Sequence, residues 1–250
     1  MLFTPEMSGL LDQDRERADG VVRSEDDDVV LAAIRRAARE TGIWVHLGSL
    51  AMRGDDGKLV NRSFVVDPAG AIVGRYDKMH LFDVDLPTGE SWRESSAYQA
   101  GEGPVIVRNT PVGSLGLTIC YDLRFPAMFE RLSEAGAEVI AVPAAFTVPT
   151  GKAHWHVLLR ARAIEAGLFI VAAAQSGQHA DGRTTFGHSL VVDPWGEILV
   201  DGGEGEKLLF AGIDLERITE VQSRIPVLSH RRAIGPVSDC FDEGPPLSEG

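Results

Sequence analysis

Cys120 stands where an apolar run gives way to a helix. Residues 112–119 are small or apolar, Asp122, Leu123, Arg124, Phe125 and Pro126 follow at once, and helical spacing then sets in through Met128, Phe129, Leu132 and Ala135. The pattern predicts a strand, a sharp turn and a helix. Such a turn lifts one side chain out of the sheet at the strand's carboxyl end, where α/β sheets bind ligands. A thiol placed there can react, but only as the thiolate, and a free thiol is mostly protonated at neutral pH. It needs a proton acceptor and an electrophilic partner. Glu6 and Lys78 also sit just past short apolar runs, at residues 2–3 and 71–73. Glu6 is suited to take the thiol proton and return it to a leaving amine. Lys78, with a backbone N–H from the turn after Cys120, is suited to hold the oxyanion of a tetrahedral intermediate, an effect of roughly 3 to 4 kcal/mol per donor. Each residue also has a plainer role open to it: Cys120 as a small buried hydrophobe, Glu6 as a cap on the turn after Pro5, Lys78 as a solvated strand end.

The elements that must position these side chains alternate between strand and helix. An amphipathic helix is expected over residues 24–42, with Ser24 as N-cap and Gly42 ending it. Strands are expected at 44–47, 59–66 and 71–76, the last two joined through the turn Asp67-Pro68-Ala69-Gly70. Residues 80–103 read as a long loop, a length usual for functional segments. After the Cys120 unit come a strand at 139–142, a helix at 155–165 and strands at 169–174, 189–192 and 198–200, the last pair joined by Asp193-Pro194-Trp195-Gly196. An apolar stretch at 209–213, a short helix at 215–223 and a tail over 225–250 complete the chain. The alternation implies α/β layering, the two Asp-Pro turns imply antiparallel hairpins within the same sheets, and no repeat or linker divides residues 1–250, which read as one domain.

A formal net charge of -13 argues against nucleic acid and anionic membranes as partners, although one local arginine can still attract an anionic substrate. Two cysteines, Cys120 and Cys240, give no framework spacing, which points to a reducing compartment, and the start lacks a secretory pattern; a cytoplasmic location is expected. No run is long enough to span a bilayer. His154 and His156, two apart, do not share a helix face and find no third ligand nearby in sequence, so no metal is expected. No Gly-rich phosphate loop stands between a strand and a helix.

Thr4-Pro5-Glu6-Met7, Tyr76-Asp77-Lys78-Met79-His80-Leu81 and Ile119-Cys120-Tyr121-Asp122-Leu123-Arg124-Phe125-Pro126 resemble, in order, the three catalytic boxes of the carbon–nitrogen hydrolase (nitrilase) superfamily. His154-Trp155, Gly187-His188-Ser189 and Val191-Val192-Asp193-Pro194-Trp195-Gly196 are similar to its Nit branch. The resemblance implies a four-layer αββα sandwich that pairs into a homodimer through helices and C-terminal tails, and a cofactor-independent Cys thioester mechanism. By motif it makes Glu6 the general base, Lys78 the oxyanion-stabilising cation and Cys120 the nucleophile. Glu94, sixteen positions after Lys78, falls where the branch has a second glutamate that orients substrate and holds the charge state of the lysine. Arg124 suits bidentate capture of a substrate carboxylate; Tyr121, Phe146 and Thr150 are further candidates for the substrate pocket. The implied substrate is a small anionic amide, with deaminated glutathione first and α-ketoglutaramate-like 2-oxo amides as the alternative. A catalytically inactive partner-binding scaffold is the reading from another class. The chain departs from the family's pattern in apparently lacking the first strand and helix before the Glu6 box. That predicts a sheet edge beside Glu6 and a loosened base. It departs also in His156, where relatives often have a glutamate, and in Ala233-Ile234-Gly235 of the tail.

Overall fold

In the computed structural model, which describes residues 1–54, 57–85, 89 and 91–238, two sheets carry the fold. The smaller has the order β1 (Leu2–Phe3), β2 (Val45–Arg53), β3 (Leu59–Val66), β4 (Ile72–Asp77). β1 runs parallel to β2, and the remaining pairs are antiparallel. In chain order, the hairpin β5 (Asp83–Asp85) and β6 (Ser91–Arg93) precedes β7 (Val105–Thr110), β8 (Gly113–Leu117), β9 (Val139–Ala141) and β10 (Phe169–Ala172). A second hairpin, β11 (Ser176–Gln178) and β12 (Thr184–Phe186), precedes β13 (Leu190–Val192) and β14 (Ile198–Asp201). The larger sheet has the order β14-β13-β10-β9-β8-β7, with parallel pairing only at β8–β9 and β9–β10. Helices are α1 (Arg15–Asp19), α2 (Val29–Thr41), α3 (Pro126–Glu134), α4 (Val148–Ala166), α5 (Glu216–Arg224) and α6 (Val227–His230).

The layering follows from which faces are apolar. α2 lays Leu31 and Ala38 on the outer face of the small sheet, against Leu47, Phe64, Val45 and Val66. Val65 and Tyr76 on its inner face meet Val107, Leu117 and Ile119 of the large sheet, whose other side is covered by Phe129 and Leu132 of α3 and Trp155, Leu159 and Ala163 of α4. Helix, sheet, sheet, helix is the expected four-layer sandwich. Both Asp-Pro turns use the same device: Asp67 Oδ1 accepts from the N–H groups of Ala69 and Ala71, Asp193 Oδ1 from those of Trp195 and Glu197, and Gly70 and Gly196 take the left-handed conformation that closes each turn.

Several boundaries differ from expectation. α2 starts a turn late because the Asp28 carboxylate, not Ser24, caps Leu31 N at 2.7 Å, while Ser24 donates to Asp27. α4 starts about two turns earlier than Trp155; Pro149 sits in its first turn, where a missing N–H costs nothing. The long loop contains the β5–β6 hairpin and a 3₁₀ turn at Glu94–Ser96. β7 and the β11–β12 hairpin are additions to the sequence reading. β1 is an edge strand, as expected, but Glu6 beyond it is not loosened. Cys240 lies outside the described residues.

Candidate active site

Cys120 opens a one-turn 3₁₀ helix, Cys120–Arg124, between β8 and α3. Its φ of +49° is left-handed, which for a residue with a Cβ costs on the order of 1–3 kcal/mol. Its own N–H is held by Pro143 O at 2.8 Å, and that of Ile119 by Asp122 Oδ2 at 2.8 Å. Asp122 is fully buried and accepts more: Tyr76 O–H at 2.6 Å, His80 N–H at 3.1 Å and His80 Nδ1 at 2.7 Å. Tyr76 and His80 flank Lys78. One carboxylate therefore ties the turn bearing the thiol to the segment bearing the ammonium.

Lys78 is 2 % exposed and Glu6 4 %. Lys78 Nζ donates to Glu6 Oε1 at 3.1 Å and to Glu94 Oε1 and Oε2 at 3.1 and 2.8 Å. Asn61 Nδ2 donates to Glu6 Oε1 at 3.0 Å, and Phe82 N–H to Glu94 Oε2 at 2.7 Å. The Glu6 backbone is fixed as firmly: Gln175 Nε2 donates to its carbonyl at 2.9 Å, and Met7 N–H to Ser49 Oγ at 2.9 Å. Gly48 lets β2 pass under this segment, since a Cβ there would overlap the Thr4 and Pro5 carbonyls.

Electrostatics set the resting protonation. Burial pushes the Cys120 thiol well above its ordinary range and the Glu6 charge adds to this, while Lys78 and the Ala145 N–H oppose it. Burial alone would depress Lys78, but Glu6, Glu94 and Cys120 outweigh it and hold the ammonium protonated well beyond neutral pH. The cluster thus pairs a protonated thiol and its acceptor with a permanent cation.

These groups face a cavity of ≈ 660 Å³ that Tyr121, Arg124, Phe146 and Thr150 also line. The Arg124 guanidinium lies 5.8 Å from the Tyr121 ring centroid and 5.5 Å from that of Phe146, contacts His154 Nδ1 at 3.3 Å, and has no carboxylate partner among the described residues. Phe146 is both wall and core, packed on Trp155 with centroids 4.7 Å apart. The Thr150 hydroxyl is shared with Thr147 Oγ1 at 2.8 Å. All eight residues singled out from sequence line this one cavity. Sequence reasoning missed Asn61, Gln175, Asp122 and Arg183, the last of which lines the cavity and lies 5.1 Å over the Trp92 ring. Asn61 stands in β3 beside Arg62 and Ser63, so its sequence context does not single it out, and only the fold shows it fully buried against Glu6.

This sandwich, with a buried Cys, Lys and two Glu at one cavity, carries its class in its geometry, and comparison with known proteins agrees. Residues 4–223 match the model of the carbon–nitrogen hydrolase family, and the chain belongs to that family of hydrolases acting on carbon–nitrogen bonds. Among curated relatives it is similar to the deaminated glutathione amidase of Yersinia enterocolitica, 45 % identical over 204 residues that cover 80 % of this chain and 71 % of that protein. It is similar also to that of Rattus norvegicus, 43 % identical over 226 residues, 87 % of this chain and 68 % of the relative. Among solved structures, the C. elegans NitFhit protein superimposes with a TM-score of 0.84 at 37 % identity, over 92 % of this chain and 57 % of that one. The chain thus spans little more than half of that larger protein.

Proposed function

We propose that the cavity hydrolyses a small anionic amide, deaminated glutathione first, through a Cys120 thioester with release of ammonia. The observation that carries this reading is the single buried cluster in which Cys120, Glu6, Lys78 and Glu94 face one cavity, with Lys78 Nζ 3.1 Å from the Glu6 carboxylate. In the first half-reaction Cys120 Sγ attacks the amide carbonyl as Glu6 takes the thiol proton. Lys78 and a backbone N–H of the turn hold the oxyanion, a contribution of roughly 3 to 4 kcal/mol per donor. Collapse breaks the C–N bond, Glu6 returns the proton to the departing nitrogen, and ammonia leaves a thioester. In the second half-reaction Glu6 draws a proton from water, the hydroxyl attacks the thioester carbonyl, and the thiol leaves with that proton. Glu94 keeps Lys78 charged and placed.

Arg124 supports an anionic substrate: it is a cation on the cavity wall without a carboxylate partner among the described residues, flanked by the Tyr121 and Phe146 rings. The curated relatives' name supports deaminated glutathione over other anionic amides. A cytoplasmic setting suits a mechanism that needs a reduced thiol, and no helix among the described residues is long and apolar enough to cross a membrane. We place a homodimer contact on the outer face of α4 and the β13–β14 turn, where Val157, Ile164 and Trp195 expose apolar surface. The test is ammonia release from deaminated glutathione and from α-ketoglutaramate by the 250-residue chain and by Cys120→Ala, with sedimentation of the same sample. Expected are a dimer, release that favours deaminated glutathione, and complete loss in the variant. Equal rates on the two amides would defeat the substrate assignment, release by Cys120→Ala the thioester, and a monomer the contact.

A further inference from the structure

Behind the cavity wall, three side chains far apart in sequence converge. His156 on α4, His188 just before β13 and Asp201 at the end of β14 place one ligand atom each within 4.8 Å of the others. Asp201 Oδ2 lies 3.0 Å from His156 Nε2, and Asp201 Oδ1 and Oδ2 lie 3.0 and 3.1 Å from His188 Nδ1. None of the three lines the cavity. The pair that the sequence suggested does not form the group: His154 turns to Arg124, and only His156 joins it.

The surroundings hold these ligands in place. His188 has a left-handed backbone, φ +55°, fixed by its N–H to Gly203 O at 2.8 Å and by Trp155 Nε1 donating to its carbonyl at 2.8 Å. Its ring stacks on Phe186 with centroids 4.4 Å apart. Asp201 Oδ1 accepts the Gly203 N–H at 2.8 Å, which orients the carboxylate. Each of the three side chains is partly exposed, so an ion can reach them.

We propose that His156, His188 and Asp201 form a binding site for a divalent transition metal, of the Zn²⁺ class. Two imidazole nitrogens and a carboxylate oxygen suit Zn²⁺ and its neighbours and not Mg²⁺ or Ca²⁺, which take all-oxygen sets. Around a tetrahedral ion with bonds of about 2.0–2.1 Å, ligand atoms stand about 3.3–3.4 Å apart; the carboxylate–imidazole separations of 3.0 Å come close to this, and the set as a whole lies within 4.8 Å, a spread that a bound ion would draw in. The metal takes the place of the two imidazole protons that now point at the carboxylate, and solvent completes the coordination. Its role is structural: it clamps α4 to the β13–β14 pair behind the wall that carries Thr150 and Thr185, and it takes no part in amide hydrolysis.

The test uses the untagged full chain with Cys120→Ser, which removes the cavity thiol as a competing ligand, after exhaustive chelation. Co²⁺ is titrated by its d–d absorption and then displaced with Zn²⁺. Expected are saturation at one ion per chain, a four-coordinate spectrum without a thiolate charge-transfer band, and a raised melting temperature in Zn²⁺. His156→Gln and Asp201→Asn, each added to that chain, should weaken uptake by more than about 100-fold, beyond the loss of an outer-shell partner. Their metal-free melting curves report whether they fold; where one does not, the other variant and the parent spectrum decide. Absence of saturable one-to-one uptake by the parent, a thiolate band, or uptake unchanged in folded variants would overturn the proposal.

Discussion

A thiol beside a buried carboxylate is protected and primed by the same neighbour. The Glu6 charge pushes the resting Cys120 thiol upward, on top of burial, yet it is also the acceptor that removes the proton once a carbonyl is in reach. The two effects have opposite consequences when the charge is removed. Glu6→Gln keeps the shape and the acceptor for Asn61 and Lys78, but it lowers the thiol's pKa by deleting the second-largest cause that raises it, while Lys78 continues to favour the thiolate. Alkylation of Cys120 by iodoacetamide at pH 8 should therefore become faster, while amide turnover falls by about 10²–10⁴-fold with loss of the general base. Rates of both reactions on the same preparation check this. If alkylation slowed together with turnover, Glu6 would be activating the resting thiol and not holding it protonated.

Between elements, the joint that matters is Asp122. Its carboxylate holds the Cys120 turn through Ile119 and the Lys78 segment through Tyr76 and His80, so the thiol and the ammonium keep register although they come from different sheets. Asp122→Asn replaces one acceptor oxygen with a donor and leaves a buried group mispaired. It should cost about 2–3 kcal/mol in urea unfolding and lower turnover further than that loss of folded protein accounts for. A variant as stable and active as its parent would show that packing alone sets the joint. This joint also marks the limit of what the sequence displays. Strand, turn and helix around Cys120 were legible because an apolar run, a proline and a change of period coincide there, and Glu6 and Lys78 were legible as charges closing short apolar runs. Asn61, Asp122 and Gln175 act through burial and direction, which a linear pattern of polar letters does not carry. β7 was passed over because only its first three residues, Val105, Ile106 and Val107, are apolar before Arg108 and Asn109 break the run. The early start of α4 was hidden by Pro149, a breaker in mid-helix that is harmless in a first turn.

Across the molecule, acid weakens the fold through carboxylates held below their ordinary range by ion pairs and hydrogen bonds, such as Glu25 beside Arg75 and Asp181 beside Arg183. One group adds a separable contribution of known sign. His46 in β2 is buried between the Phe3 ring and Ser63, whose hydroxyl lies 3.0 Å from its Nε2, and its Nδ1 has no hydrogen-bond partner among the described residues. Burial pushes its pKa down to about 3 from 6.5. Between those values the unfolded chain holds a proton that the folded chain refuses. The stability present above about pH 6.5 is therefore lost as pH falls toward about 3, with a limiting slope of about 1.4 kcal/mol per pH unit. His46→Gln keeps a partner for Ser63 and removes the titration, and the carboxylates act alike in both proteins. Urea unfolding from about pH 6 to about pH 4 should give a curve shallower in the variant by up to that slope; parallel curves would mean that the folded chain takes up the His46 proton, and that the sandwich opens to water at β2 before it unfolds.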